Sequence, residues 1–187
     1  MNAATAKKAK WFALTIGLYV PLFFLSVVIA DNQGGAGLVS LLFLPAFIRL
    51  LSFLLIGFWS VPALFIANMI VIGLGGYDLG PGTAAETLLA LMSAIGPALG
   101  AAVTCAACRL EPNLANLNGK RLLLLSLGAS AGNAIALGLG HYALGTPGLH
   151  LGVPLMTMFG DALGTWAVIY LLKGLLTFAG MTLRPRD

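Results

Sequence analysis

The sequence predicts an all-α integral membrane protein with about six transmembrane helices and both termini in the cytoplasm. Of its 187 residues, 59% are apolar and only 9% are charged. In a typical soluble domain roughly a quarter of the residues are charged. The mean hydropathy is +0.98. Because so few charges cannot cover a water-facing surface, we expect the lipid bilayer to be the main environment of the chain.

Six apolar runs, separated by turn-forming stretches, define the predicted spans. The breaks are "DNQGGAG", "GGYDLGPG", "EPNLANLNGK" and "GTPG", together with a short break between the second and third runs. Each run except the third approaches the roughly 20 residues that cross about 30 Å of hydrocarbon as a helix. We expect the first run to be retained, because it is longer than the apolar part of a usual signal peptide. A single domain, residues 1–187, thus contains spans at about 11–30, 38–56, 61–75, 84–108, 122–144 and 151–172.

The positive charges orient these spans. With six crossings, the basic residues of the N-terminus, of the loop between spans four and five, and of the C-terminus fall on one side. The opposite loops carry Asp31, Asp78 and His150 and no lysine or arginine, so the basic side is expected to be cytoplasmic. Loops this short hold no nucleic-acid-binding domain, and we expect no nucleic-acid partner. The residues that set this orientation are Lys7, Lys8, Lys10, Arg109, Lys120, Arg121, Arg184 and Arg186.

Two opposite charges lie inside the spans at a common predicted depth. Arg49 in span two and Asp161 in span six are about 16 Å and about 15 Å from the outer ends of their spans. Asn68 in span three and Asn133 in span five fall within roughly one turn of the same level. A lone charge there costs at least about 2.5–3.5 kcal/mol. We therefore predict a buried Arg49–Asp161 pair framed by Asn68 and Asn133.

This polar layer admits more than one role. It can be a structural staple of the bundle, or it can be a ligand or proton site, because ionisable residues inside membranes are often functional. Nearer the outer face, Glu86 and His141 are candidates for the lining of a cavity above the pair, or else interfacial residues. Gly160 and Gly164 flank Asp161 and would let a partner helix approach its carboxylate.

The sequence contains no pattern typical of an enzyme or a cofactor site, and we predict neither. No nucleophile–base pair and no phosphate-binding loop can be identified. Cys105 and Cys108 form a single C-x-x-C without the second pair or adjacent histidine of a zinc site. They are either small residues of a helix end or a redox pair. Haem ligation by His141 and His150 is disfavoured, because both residues lie at the outer face.

Three stretches resemble a known family. They are "LPAFIRLLSFLLIGFWSVPALFIAN" (44–68), "SAIGPALGAAVTCAACRL" (93–110) and "FGDALGTWAVIYLLK" (159–173). In them the sequence is similar to the membrane-associated sensor domains of the MASE type, which occur at the N-termini of bacterial sensor kinases and cyclic-dinucleotide enzymes. Those domains usually have about eight helices and feed a cytoplasmic enzyme domain, whereas this chain has room for six helices.

The resemblance implies a sensor-like or partner-binding subunit of the bacterial cytoplasmic (inner) membrane. Such a subunit would act through a membrane or cytoplasmic partner protein and would respond to an unidentified small-molecule ligand or to a neighbouring subunit. Two other functions fit a six-helix chain of this length. One is the substrate-binding component of a small-solute importer, and the other is a structural subunit of a larger membrane complex.

Overall fold

The computed structural model of the protein describes residues 3–31, 42–76, 83–111, 113–145 and 152–179. These residues form helices joined by turns, and no strand occurs among them. A 3-10 turn, Gly57–Trp59, separates the second and third helices. The helices are α1 (Ala3–Asp31), α2 (Pro45–Ile56), α3 (Ser60–Gly73), α4 (Thr83–Ala107), α5 (Gly119–Ala143) and α6 (Gly152–Phe178).

Five helical stretches are long and apolar enough to cross a membrane. Four of them lie within α1, α4, α5 and α6. The fifth, Pro45–Gly73, contains both α2 and α3, which the sequence predicts as separate spans. The predicted all-helical, membrane-type fold is therefore confirmed, and the relation between α2 and α3 determines how the chain runs through the bundle.

The helices α2 and α3 turn back on each other. Arg49 in α2 and Asn68 in α3 both hydrogen-bond to the hydroxyl of Tyr19. In one straight helix these two residues would lie about 28 Å apart along the axis, too far for two side chains that meet at one oxygen. The reversal occurs at Gly57, whose φ of 60° lies in the left-handed region that favours glycine.

Neighbouring helices alternate in direction. Thr104 near the end of α4 lies against Gly128 in the first half of α5, and Phe53 near the end of α2 belongs to the same apolar cluster as the start of α5. Late in α1, Ser26 accepts a hydrogen bond from the backbone N–H of Leu44, just before α2. This alternation gathers the described basic residues, Arg49 apart, at one end of the bundle, here called the basic end: Lys7, Lys8, Lys10, Arg109, Lys120, Arg121 and Lys173.

The helices α1 and α6 extend beyond their predicted spans, to Ala3 and to Phe178, whereas α2 begins later than predicted. The sequence predicts a span from about residue 38, but residues 42–44 are not helical and α2 begins at Pro45. The physical reason is that residues in this stretch make their backbone hydrogen bonds to other helices, as described below. The predicted loop residues Asp78, His150, Arg184 and Arg186 lie outside the described residues.

Glycines allow α4 and α5 to pack backbone against backbone. A methyl group added at Gly100 would overlap the carbonyl of Gly128, and one added at Gly132 would overlap the carbonyl of Gly96. In lipid, small residues of this kind permit the close contact that holds helices together. We call these four glycines the α4–α5 seam.

We expect Gly132→Ala to destabilise the protein by about 1–3 kcal/mol, since the new methyl group would overpack the seam against backbone that cannot move aside. Gly17→Ala is the matched control, because no atom lies within 4 Å of the position of its added methyl group. Alanine also favours helix by up to about 1 kcal/mol over glycine, so the control should be neutral or stabilising. Circular dichroism during denaturant unfolding in detergent gives the comparison, and equal effects of both changes would contradict the described packing.

Candidate functional site

The helix α2 begins inside the bundle. The backbone N–H of Phe43 donates to the carbonyl of Gly160 in α6 at 3.1 Å, and Pro45, at the first turn of α2, has no N–H to satisfy. This start meets the rule that backbone groups away from water find partners within the protein. It also places Arg49, one turn into α2, next to Asp161, which follows Gly160.

Arg49 lies at the centre of a buried polar network. Its Nη1 is 3.2 Å from Oδ2 of Asp161, and the two residues are 4% and 3% exposed. Its Nη2 donates to the hydroxyl of Tyr19 at 2.8 Å and to Oγ of Ser93 at 2.7 Å. The guanidinium also lies 4.7 Å from the centre of the Phe43 ring, within the range of a cation–π contact. The arginine therefore has a counter-ion, two neutral acceptors and an aromatic face.

Both asparagines belong to this network by different routes. Asn133 donates from Nδ2 to Oδ2 of Asp161. Asn68 accepts from the Tyr19 hydroxyl at 2.8 Å and donates to the carbonyl of Ala90 at 3.4 Å, so that Tyr19 connects it to Arg49. The four residues of the predicted polar layer thus lie together.

Tyr19 and Ser93 bond directly to Arg49 but have neither a charge nor an amide that would mark them in the sequence. The helix rise indicates that both lie near the depth of Arg49. Tyr19 is about 12 Å from the predicted cytoplasmic end of span one, and Ser93 is about 13 Å from the predicted outer end of span four. That signal is weak by itself, since hydroxyl side chains occur in membrane helices without a charged partner. Only the facing of the helices shows that these two hydroxyls meet the guanidinium.

A cavity of about 240 Å³ adjoins the network. Asn133, Leu137 and His141 line it on successive turns of α5, which makes it about 12 Å long in the direction away from the basic end. Of Glu86 and His141, the two residues considered either as cavity lining or as interfacial, His141 is among the lining residues and Glu86 is not. The polar floor comprises Arg49, Asn68, Ser93, Asn133 and Asp161, the apolar walls include Phe43, Ile72, Leu89 and Leu137, and Thr157 and His141 lie farther from the floor.

One buried acceptor of the floor side chains, Oδ1 of Asn133, has no hydrogen-bond partner among the described residues, and that side chain is only 1% exposed. The hydrogen bonds to the Asp161 carboxylate from described residues are both accepted by Oδ2. The floor therefore offers a buried acceptor oxygen beside the ion pair, whereas the described residues contain no cluster of three side chains able to ligate a metal.

The ion pair makes a prediction about stability. Removing one partner leaves a buried charge uncompensated, so Arg49→Met and Asp161→Asn should each cost about 3–5 kcal/mol. The double variant buries no lone charge and should cost clearly less than the sum of the two. Unfolding free energies in detergent complete the cycle, with Lys173→Met, an exposed charge on α6, as the control. Strictly additive losses would argue against direct coupling of the two side chains.

Comparison with known proteins adds no relative to this picture. No protein-family model matches the chain, and no curated protein and no solved structure matches it.

Proposed function

We propose that the chain crosses the bacterial cytoplasmic membrane six times, with both termini in the cytoplasm. The alternating directions of the six helices support six crossings, and the reversal at Gly57 supports counting α2 and α3 separately. The concentration of lysine and arginine at the basic end supports a cytoplasmic location for that end. The cavity would then lie toward the extracytoplasmic side.

This orientation predicts which positions react with a membrane-impermeant maleimide. In a variant in which Cys105 and Cys108 are replaced by alanine, Tyr142→Cys should be labelled in intact spheroplasts, because residue 142 is 81% exposed and far from the basic end. Lys120→Cys, an exposed position at the basic end, should be labelled only after lysis. The reverse pattern would overturn the proposed orientation.

We further propose that the cavity binds a small molecule and that the chain acts as a sensor-like subunit through another protein. The observation that supports this proposal is a cavity whose floor contains a buried ion pair and a buried acceptor without a hydrogen-bond partner among the described residues. A buried ion pair is a poor stabilising device, because apolar replacements of similar volume are often neutral or better. Its position at the floor of a cavity favours a role in binding over a role in stability alone.

The network also supports a route from ligand to partner. Every helix contributes one side chain to it, so a ligand at the floor would alter contacts in all six helices together. Binding energy that differs between two arrangements of the bundle is what a sensor needs. The resemblance to sensor domains of the MASE type agrees with this role and suggests that the partner is a signalling enzyme.

A second candidate is the substrate-binding component of a small-solute importer. The observation that favours it is the direction of the cavity, which extends from the network away from the basic end. In the proposed orientation this is the side from which an imported solute arrives. The two candidates share a ligand site and differ in the partner, which would be a signalling enzyme in one case and a transport ATPase in the other.

We expect the protein from native membranes to carry a non-covalently bound small molecule that native mass spectrometry detects. Leu137→Trp should abolish this adduct, because Leu137 lines the cavity. Leu139→Trp is the matched control, since Leu139 lies two residues along α5, is 61% exposed on the outer face of the bundle, and should keep the adduct.

Proteins that co-purify with the wild-type chain then separate the candidates. A kinase or cyclic-dinucleotide enzyme would support the sensor, and a pair of ATPases would support the importer. An adduct that Leu137→Trp leaves unchanged would contradict the cavity as its site. No adduct in the wild type, together with a stable assembly of other membrane subunits, would favour the structural subunit.

A further inference from the structure

The polar groups at the cavity floor differ in how many of their hydrogen bonds are already made within the protein. The guanidinium of Arg49 already donates to Asp161, Tyr19 and Ser93 and lies against the Phe43 ring. Its positive charge is therefore committed to the protein. A ligand that needed a cation, such as a carboxylate or a phosphate, would have to displace these contacts.

Asn133 adds a buried acceptor to this floor. Nδ2 of Asn133 donates to the Asp161 carboxylate, and this fixes the amide, because the opposite orientation would direct Oδ1 at the negative oxygen. Oδ1 is then a buried acceptor without a described hydrogen-bond partner. A buried acceptor left without a donor is unfavourable, and a ligand that supplied one O–H or N–H would satisfy it.

The charge balance disfavours both kinds of ion. Arg49 and Asp161 together sum to zero, so the floor has no net charge to offset the cost of moving an ion of either sign out of water. An anion would also meet the carboxylate of Asp161 and the amide oxygen of Asn133. A cation would also meet the positive charge of Arg49. A neutral donor avoids both costs.

The walls set the size and character of the rest of the ligand. Phe43, Ile72, Leu89 and Leu137 are apolar and surround the space above the floor. The volume of about 240 Å³ exceeds the roughly 150 Å³ of a cavity that holds benzene. The space thus suits an apolar body of about one ring with a short substituent.

We propose that the cavity takes a neutral, mostly apolar molecule of about one ring that carries a single hydroxyl or N–H donor and directs it at Oδ1 of Asn133. This assignment rests on the proposed ligand-binding function and specifies its chemical class. The buried acceptor of Asn133, the neutral ion pair and the apolar walls carry it.

The test uses four probes of one shape: benzyl alcohol, toluene, benzoate and benzylammonium. Saturation-transfer difference NMR on the protein in lipid nanodiscs measures binding, and nanodiscs with Leu137→Trp give the reference for partition into lipid. We expect benzyl alcohol to bind the wild type at least tenfold more tightly than toluene, and the two ions to give no signal above the reference. Tighter binding of benzoate or benzylammonium would overturn the ligand class while leaving the cavity as a binding site.

Asn133→Leu tests the proposed acceptor, because leucine has a similar volume and no oxygen. It should remove the preference for benzyl alcohol over toluene and keep the binding of toluene. A preference that persisted would refute Asn133 as the acceptor. If the variant fails to fold, the probe series on the wild type still decides the class. If all four probes bind the wild type and Leu137→Trp alike, the cavity is not a ligand site, and the proposed function fails together with the class.

Discussion

A guanidinium buried in an apolar bundle must receive all of its partners from the protein, and this requirement organises the structure. Arg49 needs a counter-ion and several acceptors within reach of one planar group, in surroundings where an unpaired charge is costly. The interior start of α2 places the arginine beside Asp161 in α6. The reversal at Gly57 returns the chain along α3, so that Asn68 reaches the Tyr19 hydroxyl from the other side. The path of the chain through α2 and α3 thus brings together the partners that the buried charge of Arg49 requires.

The network is shared evenly among the helices. No helix supplies two of its side chains, so none can shift without changing a hydrogen bond to a neighbour. Buried polar networks of this kind are strong when complete and costly when one partner is lost. The same connectivity that fixes the relative depth of the helices would also spread the effect of a ligand at the floor. The six contributors, in the order of the helices, are Tyr19, Arg49, Asn68, Ser93, Asn133 and Asp161.

Sequence reasoning succeeds here where one physical quantity decides the outcome. Composition indicates a membrane protein. The constant rise of a helix predicts that Arg49 and Asp161 lie at one depth, and the rarity of charges inside spans makes these two residues stand out. Depth alone does not identify which way a side chain faces, so the sequence does not separate His141, which lines the cavity, from Glu86, which is not among the lining residues. The start of α2 could not be predicted either, since residues 42–44 are as apolar as the helix that follows. They leave the helical path because Gly160 and Ser26 accept their backbone hydrogen bonds, and those acceptors lie far away in sequence.

The α4–α5 seam has a consequence for how related proteins could diverge. Along the seam, backbone meets backbone, and almost any change of glycine alters the spacing of two helices. The cavity walls, by contrast, are built from side chains such as Ile72, Leu89 and Leu137, each of which can change in size while the helix axes stay in place. Single substitutions at these positions can therefore alter the shape of the cavity on a constant scaffold. Selection for a new ligand would act first on these wall positions, whereas the seam and the ion pair would remain under purifying selection.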